Sequence, residues 1–153
     1  MAISSGKFGN VILLHKSDEN PIKASDDNIQ KIVDMEISRL SCLSESVNLN
    51  HIDVSEVTDM SGLFRRLDIN VDVFLWDTHN VVDMSGMFEY STFDGDISYW
   101  DVSNVEDMTD MFNHSKFKGD ISHWDVSKVK KHDCCFDGSP LEKQPNKQPK
   151  FNP

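Results

Sequence analysis

One repeating period constrains this chain more than any other feature. Trp76, Trp100 and Trp124 recur at a fixed interval, each followed by an aspartate (Asp77, Asp101, Asp125), and Ile52-Asp53 stands one period earlier. The register holds at Val57, Val81, Val105 and Val129, at Met60, Met84, Met108 and His132, and at Phe64, Phe88, Phe112 and Phe136. Ile69, Phe93 and Phe117 align later in the period, followed by Val73, Ile97 and Ile121, each preceded by Asp72, Asp96 or Asp120. A unit this short cannot bury its own apolar face, so equivalent side chains must stack on one another between copies. The aromatic and aliphatic columns therefore read as core ladders and not as a cofactor box.

Each period carries two spacings. From Asp101 to Phe112 the apolar positions Val105, Met108, Met111 and Phe112 follow a helical interval, and Ser103 with Glu106 has the form of a capping box. From Phe93 to Trp100 apolar residues alternate, which predicts a short strand. One strand and one short helix per unit predicts an α/β fold: a short leucine-rich-repeat-like solenoid of 24-residue strand-helix coils. Ser25-Asp26-Asp27-Asn28 resembles a helix start, and Ile29, Ile32, Val33, Ile37 and Leu40 form one stripe, predicting an N-terminal capping helix from Asp26 to Leu40. The expected organisation is an N-terminal strand and linker over 1–24, with a strand near Phe8 and Val11–Leu14. The capping helix and its connection follow over 25–50, the repeats over 51–139, and a disordered Pro/Lys tail over 140–153.

Trp-Asp-Val-Ser-Asn-Val-Glu-Asp-Met at Trp100–Met108, followed by Met111-Phe112 and Phe117-Lys118-Gly119-Asp120-Ile121-Ser122, resembles the BspA-like leucine-rich-repeat family. Repeats of that family also occur in mycoplasma lipoproteins and in viral and phage proteins. The resemblance implies binding without catalytic residues, often at a cell surface. The N-terminus lacks the charged-then-apolar order of a secretory signal, and no apolar run reaches the roughly 18 residues a span requires. The expected location is therefore cytoplasmic, with a surface role only if a leader has been removed.

Charge narrows the partner. The net charge is −11, and 11 acids with no Lys or Arg lie between Arg66 and Lys116. Direct nucleic-acid binding and attachment to an anionic membrane are disfavoured, and a basic protein partner is favoured. Aspartates stacked about 4.8 Å apart repel by about 0.9 kcal/mol per pair in water, so each must cap a turn, meet a cation or face a basic partner. Capping is the expected role. Calcium finds no Asp-x-Asp-x-Asp-Gly loop, and His132-Asp133-Cys134-Cys135 lacks the second ligand pair of a zinc site. Two such columns would also approach the charge density of duplex DNA, roughly one charge per 2.4 Å against one per 1.7 Å.

The six histidines have no nucleophile or carboxylate in a catalytic spacing, and no phosphate loop is present. No enzyme and no cofactor are expected. The expected function is a noncatalytic protein-interaction module. Its candidate contacts are Arg65, Arg66, Glu89, Tyr90, Tyr99, Asn113, His114, Lys116 and His123, with Tyr90, Tyr99, Arg65 and Arg66 as anchors. The alternative is an acidic, nucleic-acid-mimicking inhibitor using Asp68, Glu89, Glu106 and Asp110, with a surface or adhesion unit third.

Overall fold

The computed structural model describes residues 21–153, so the expected strand near Phe8 and Val11–Leu14 lies outside the described residues. In order, the elements are β1 (Ile22–Lys23), α1 (Ile29–Leu40), β2 (Ser46–Asn48), β3 (Ile52–Asp53) and β4 (Asn70–Asp72). Two 3-10 turns follow, Pro140–Lys143 and Pro145–Lys147. β1 pairs in parallel with β3, Ile22 opposite Ile52, and β2 pairs in parallel with β4, Val47 opposite Val71.

This overturns the α/β solenoid of strand-helix coils with an N-terminal capping helix. Among the described residues there is one helix, and the strands are two or three residues long in two small parallel sheets. The segments expected to be helices are rows of overlapping turns. Within Met108–Ser115, Met111 N–H donates to Met108 O (3.2 Å), Asn113 to Asp110 O (3.1 Å) and Ser115 to Phe112 O (3.0 Å). The other N–H groups leave the row: Met108 donates to Lys131 O (2.8 Å), Asp110 to Asp133 O (2.9 Å), Phe112 to Cys135 O (2.9 Å) and His114 to Asp137 O (2.7 Å). An α-helix needs every interior N–H directed four residues back. Here alternate donors reach forward into the next copy of the row, and the same pattern links Met60–Arg66 to the 83–89 segment and Met84–Tyr90 to the 107–113 segment. Apolar spacing of three and four residues suits either arrangement, which is why the pattern reads as helical.

Two positions per row require left-handed backbone. The first column is Gly62, Gly86, Asp110 and Cys134 (φ 64°, 59°, 55°, 52°), and the second is Arg66, Tyr90, His114 and Gly138 (φ 58°, 56°, 53°, 68°). Such a φ costs an L-residue roughly 1–2 kcal/mol relative to glycine.

The core is the set of ladders. Phe64, Phe88, Phe112 and Phe136 stack at centroid distances of 5.6, 5.6 and 6.0 Å, and Trp76 lies 6.4 Å from Trp100 with rings 7° from parallel. The Trp76 indole N–H donates to Leu49 O (2.9 Å) and that of Trp100 to Val73 O (3.1 Å). The equivalent group of Trp124 is buried without a partner among the described residues.

α1 buries Ile29, Val33 and Glu36 and starts three residues later than expected. Asp26 is drawn away from the helix start: its carboxylate accepts Thr58 N–H (2.7 Å), Asp59 N–H (3.0 Å) and Thr58 Oγ1–H (2.6 Å). The segment 93–100, expected to be a strand, forms none.

The expected disordered tail from Pro140 packs instead. Leu141 is fully buried, Phe151 stacks on His132 at 4.1 Å, and Ile121 N–H donates to Lys147 O (3.0 Å). Asn152 Nδ2 donates to Ser127 O 25 residues back (3.2 Å), as Asn80 does to Ser55 O (2.8 Å) and Asn104 to His79 O (2.7 Å). Proline and lysine suggest disorder, while Leu141, Phe151 and Asn152 fasten the segment to the last rows.

Candidate interaction surface

The second left-handed column generates the most structured exposed feature. Arg66, Tyr90 and His114 are exposed, each two residues beyond a buried core Phe. Row stacking brings them into one file: the Tyr90 and His114 rings lie 4.7 Å apart and 13° from parallel, and the Arg66 guanidinium sits 5.7 Å from the Tyr90 centroid. The geometry of the second contact is that of a cation–π pair, and Tyr90 remains half exposed for a further contact.

Beside this file Arg65 grips Glu89 with two bonds, Nε to Oε2 at 2.8 Å and Nη2 to Oε1 at 3.0 Å. The Glu89 side chain is 11% exposed and that of Arg65 52%, so the pair leaves a cation partly open over a covered carboxylate. Asn113 Nδ2 donates to Asp110 Oδ1 (2.6 Å), and the Asn113 Oδ1 contacts His114 Nδ1. A shallow cleft of about 510 Å³ adjoins them, its lining including Arg65, Glu89, Asp107, Asp110 and Lys131. Burial raises the Asp107 carboxyl, but hydrogen bonds from Thr109 and Lys131 outweigh it and hold the group below the ordinary carboxylate range.

Six of the expected contact residues thus come together: Arg65, Arg66, Glu89, Tyr90, Asn113 and His114. Tyr99 belongs to another patch. It is 80% exposed, meets Phe74 edge-on at 5.7 Å, and helps line a cleft of about 400 Å³ with Leu75, Asp77 and Asp101. His123, one period after Tyr99, lies 2.6 Å through Nε2 from Ser98 O. Lys116 is exposed and donates its N–H to Ser91 O (3.1 Å). Sequence reasoning missed Phe74 and Leu75, and the repeat carried the signal for Leu75, which stands one period before Tyr99.

The acids singled out for mimicry do not form one free surface. Glu89 is held by Arg65, Glu106 by Lys130 (2.8 Å) and Asp110 by Asn113, while Asp68 is exposed beside a different cleft. The aspartate columns close turns. Asp53, Asp101 and Asp125 each accept the N–H of the serine two residues on, Asp77 accepts that of His79, and Asp72, Asp96 and Asp120 accept those of Phe74, Ser98 and Ser122. The serine hydroxyls and N–H groups hold Asp53, Asp96, Asp101, Asp120 and Asp125 below the usual carboxylate range. A third column, Asp59, Asp83 and Asp107, which sequence reasoning missed, closes turns at Ser61, Ser85 and Thr109.

Among the described residues no group of three or more His, Cys, Asp or Glu is arranged to hold a metal ion. The Cys135 thiol is buried and pushed far above its ordinary pKa by desolvation. No helix among the described residues is long and apolar enough to cross a membrane.

The sequence model of a family described as "Mycoplasma protein of unknown function, DUF285" matches residues 25–148. No curated protein and no solved structure matches the chain.

Proposed function

The chain belongs to the DUF285 family, and we propose that it is a noncatalytic protein-interaction module whose contact surface is the Arg66–Tyr90–His114 file with its Arg65–Glu89 flank. One observation carries this reading. Glycine is the residue that suits the left-handed backbone of that column, and it occupies only the last row, as Gly138. The other three rows carry large, exposed Arg, Tyr and His side chains at a local conformational cost. Stacked aromatic and guanidinium groups, already ordered and half exposed, are the side chains that dominate protein interfaces. The resemblance of Trp100–Met108 to BspA-like repeats supports a binding role as well.

The test is affinity capture with the full chain against lysate of its own organism, comparing the unaltered chain with Tyr90→Ala and Arg66→Ala. A partner held by the unaltered chain and lost from both variants, with unfolding midpoints unchanged, supports the reading. Equal retention by all three chains would remove this file as the contact surface.

A further inference from the structure

The rows Met60–Arg66, Met84–Tyr90 and Met108–His114 each pass four alternate N–H groups to the carbonyls of the next row. The final row, His132–Gly138, keeps the same internal turns, with Cys135 N–H on His132 O, Asp137 on Cys134 O and Ser139 on Phe136 O. Beyond it the Gly138 N–H is met by the tail carboxylate of Glu142 (3.0 Å), whereas the N–H groups of His132, Cys134 and Phe136 have no acceptor among the described residues. Phe151 covers the His132 ring, so among the described residues the side-chain layer is closed where the backbone layer is open.

The chemistry of this edge selects its occupant. It offers donors only, because the carbonyls of Lys131, Asp133, Cys135 and Asp137 point back to the preceding row. The same edge of a second copy would oppose donors to donors. At the opposite end Asp26 holds the N–H groups of Thr58 and Asp59, and the Gln30 amide already reaches Leu63 O (3.5 Å). A small anion is repelled by exposed Asp133 and Asp137 in a chain of net charge −11. Neighbouring rows, moreover, match opposite charges one period apart, as in Arg65–Glu89, Lys118–Asp94, Lys130–Glu106 and Lys131–Asp107.

We propose that His132, Cys134 and Phe136 form a docking edge for a segment of a partner protein that adds one further turn row. That segment supplies alternate carbonyls, glycine at its left-handed positions, and Lys or Arg facing Asp133 and Asp137, and its apolar side chains take the place of Phe151 over His132 and Phe136. This is backbone augmentation of an open edge, with charge setting the choice of partner. It rests on the protein-interaction reading above but names a different surface.

The probe is a peptide with the sequence of residues 81–92 carrying Ser85→Lys, Glu89→Lys and Tyr90→Gly, titrated into the full chain and followed by amide NMR. The control peptide carries Tyr90→Gly alone. With the basic peptide the amide protons of His132, Cys134 and Phe136 move downfield and exchange more slowly, while those of Met108, Asp110 and Phe112 stay in place. The basic peptide binds about tenfold more tightly than the control, and Asp133→Lys with Asp137→Lys in the chain removes that preference. Three unmoved amides at millimolar peptide, or equal binding of the two peptides to the unaltered chain, would overturn the proposal. That failure, with Tyr90-dependent capture intact, would sink the edge and leave the interaction reading standing.

Discussion

The row Met108–His114 and the row His132–Gly138 share one backbone, with the same three internal turns and the same two left-handed positions. They differ in what lies beyond them. Among the described residues the first gives four N–H groups to a following row, and the second gives one, to a side-chain carboxylate of the tail. The row conformation therefore does not depend on the onward bonds. Its internal turns and its two left-handed residues hold it, and the onward bonds stack one finished row on the next.

Substitutions at matched positions sharpen that contrast. The largest expected effect is in the phenylalanine ladder. Phe112 is fully buried and contacts Phe88, Phe117 and Phe136, so Phe112→Ala lowers stability by about 3–5 kcal/mol in urea unfolding. Phe136, at the end of the ladder and 9% exposed, loses less on the same change, roughly 2–3 kcal/mol. Equal losses would mean that the last row is covered as fully as the one before it.

Gly86→Ala comes next. Its φ is +59° and a Cβ there would meet the Glu89 carboxylate at 3.3 Å, so the change costs about 1–2 kcal/mol. Cys134→Gly, in the same column, shifts stability by less than about 0.5 kcal/mol, because relief of the left-handed backbone is offset by the greater freedom of the unfolded chain. Thermal unfolding of both variants reads the difference.

How far these features are legible in the sequence differs from element to element. The repeat columns identify the ladder residues, since Trp, Phe and Met at a fixed interval have to meet their equivalents. The turn-closing role expected of the aspartates follows from their place before an expected helix start or in a tight turn, where a carboxylate accepts backbone N–H groups. The rows themselves escape a reading from spacing because an i, i+3 interval serves turns and helices alike. Gly62 and Gly86 at one register position are the available sign of left-handed backbone. The tail misleads because Pro140, Pro145 and Pro149 dominate its composition, although proline suits the first positions of its 3-10 turns. Of the candidate surface, the columns imply that Arg66, Tyr90 and His114 fall in file. The separation of Tyr99 and His123 from that file depends on the path of each row, which spacing alone does not give.

The smallest effect is acid titration. Serine hydroxyls hold Asp53, Asp96 and Asp101 below the range of an unfolded aspartate. A depressed folded value stabilises above the unfolded value near 4 and loses that contribution as pH falls through the folded one. The unfolding midpoint should be level near pH 6 and fall below about pH 4, and Asp101→Asn, which keeps the acceptor and removes the charge, should reduce the fall. A midpoint level down to about pH 3 would contradict this role for the aspartates.

The most direct test of the account is residue-resolved amide hydrogen exchange on the unliganded full chain. Met108, Asp110 and Phe112 give their N–H groups to the next row, and His132, Cys134 and Phe136 have no acceptor among the described residues. The first three are expected to be strongly protected and the second three to exchange fast at the same pH. Equal protection of the two sets would contradict both the open last row and the stacking that defines the others.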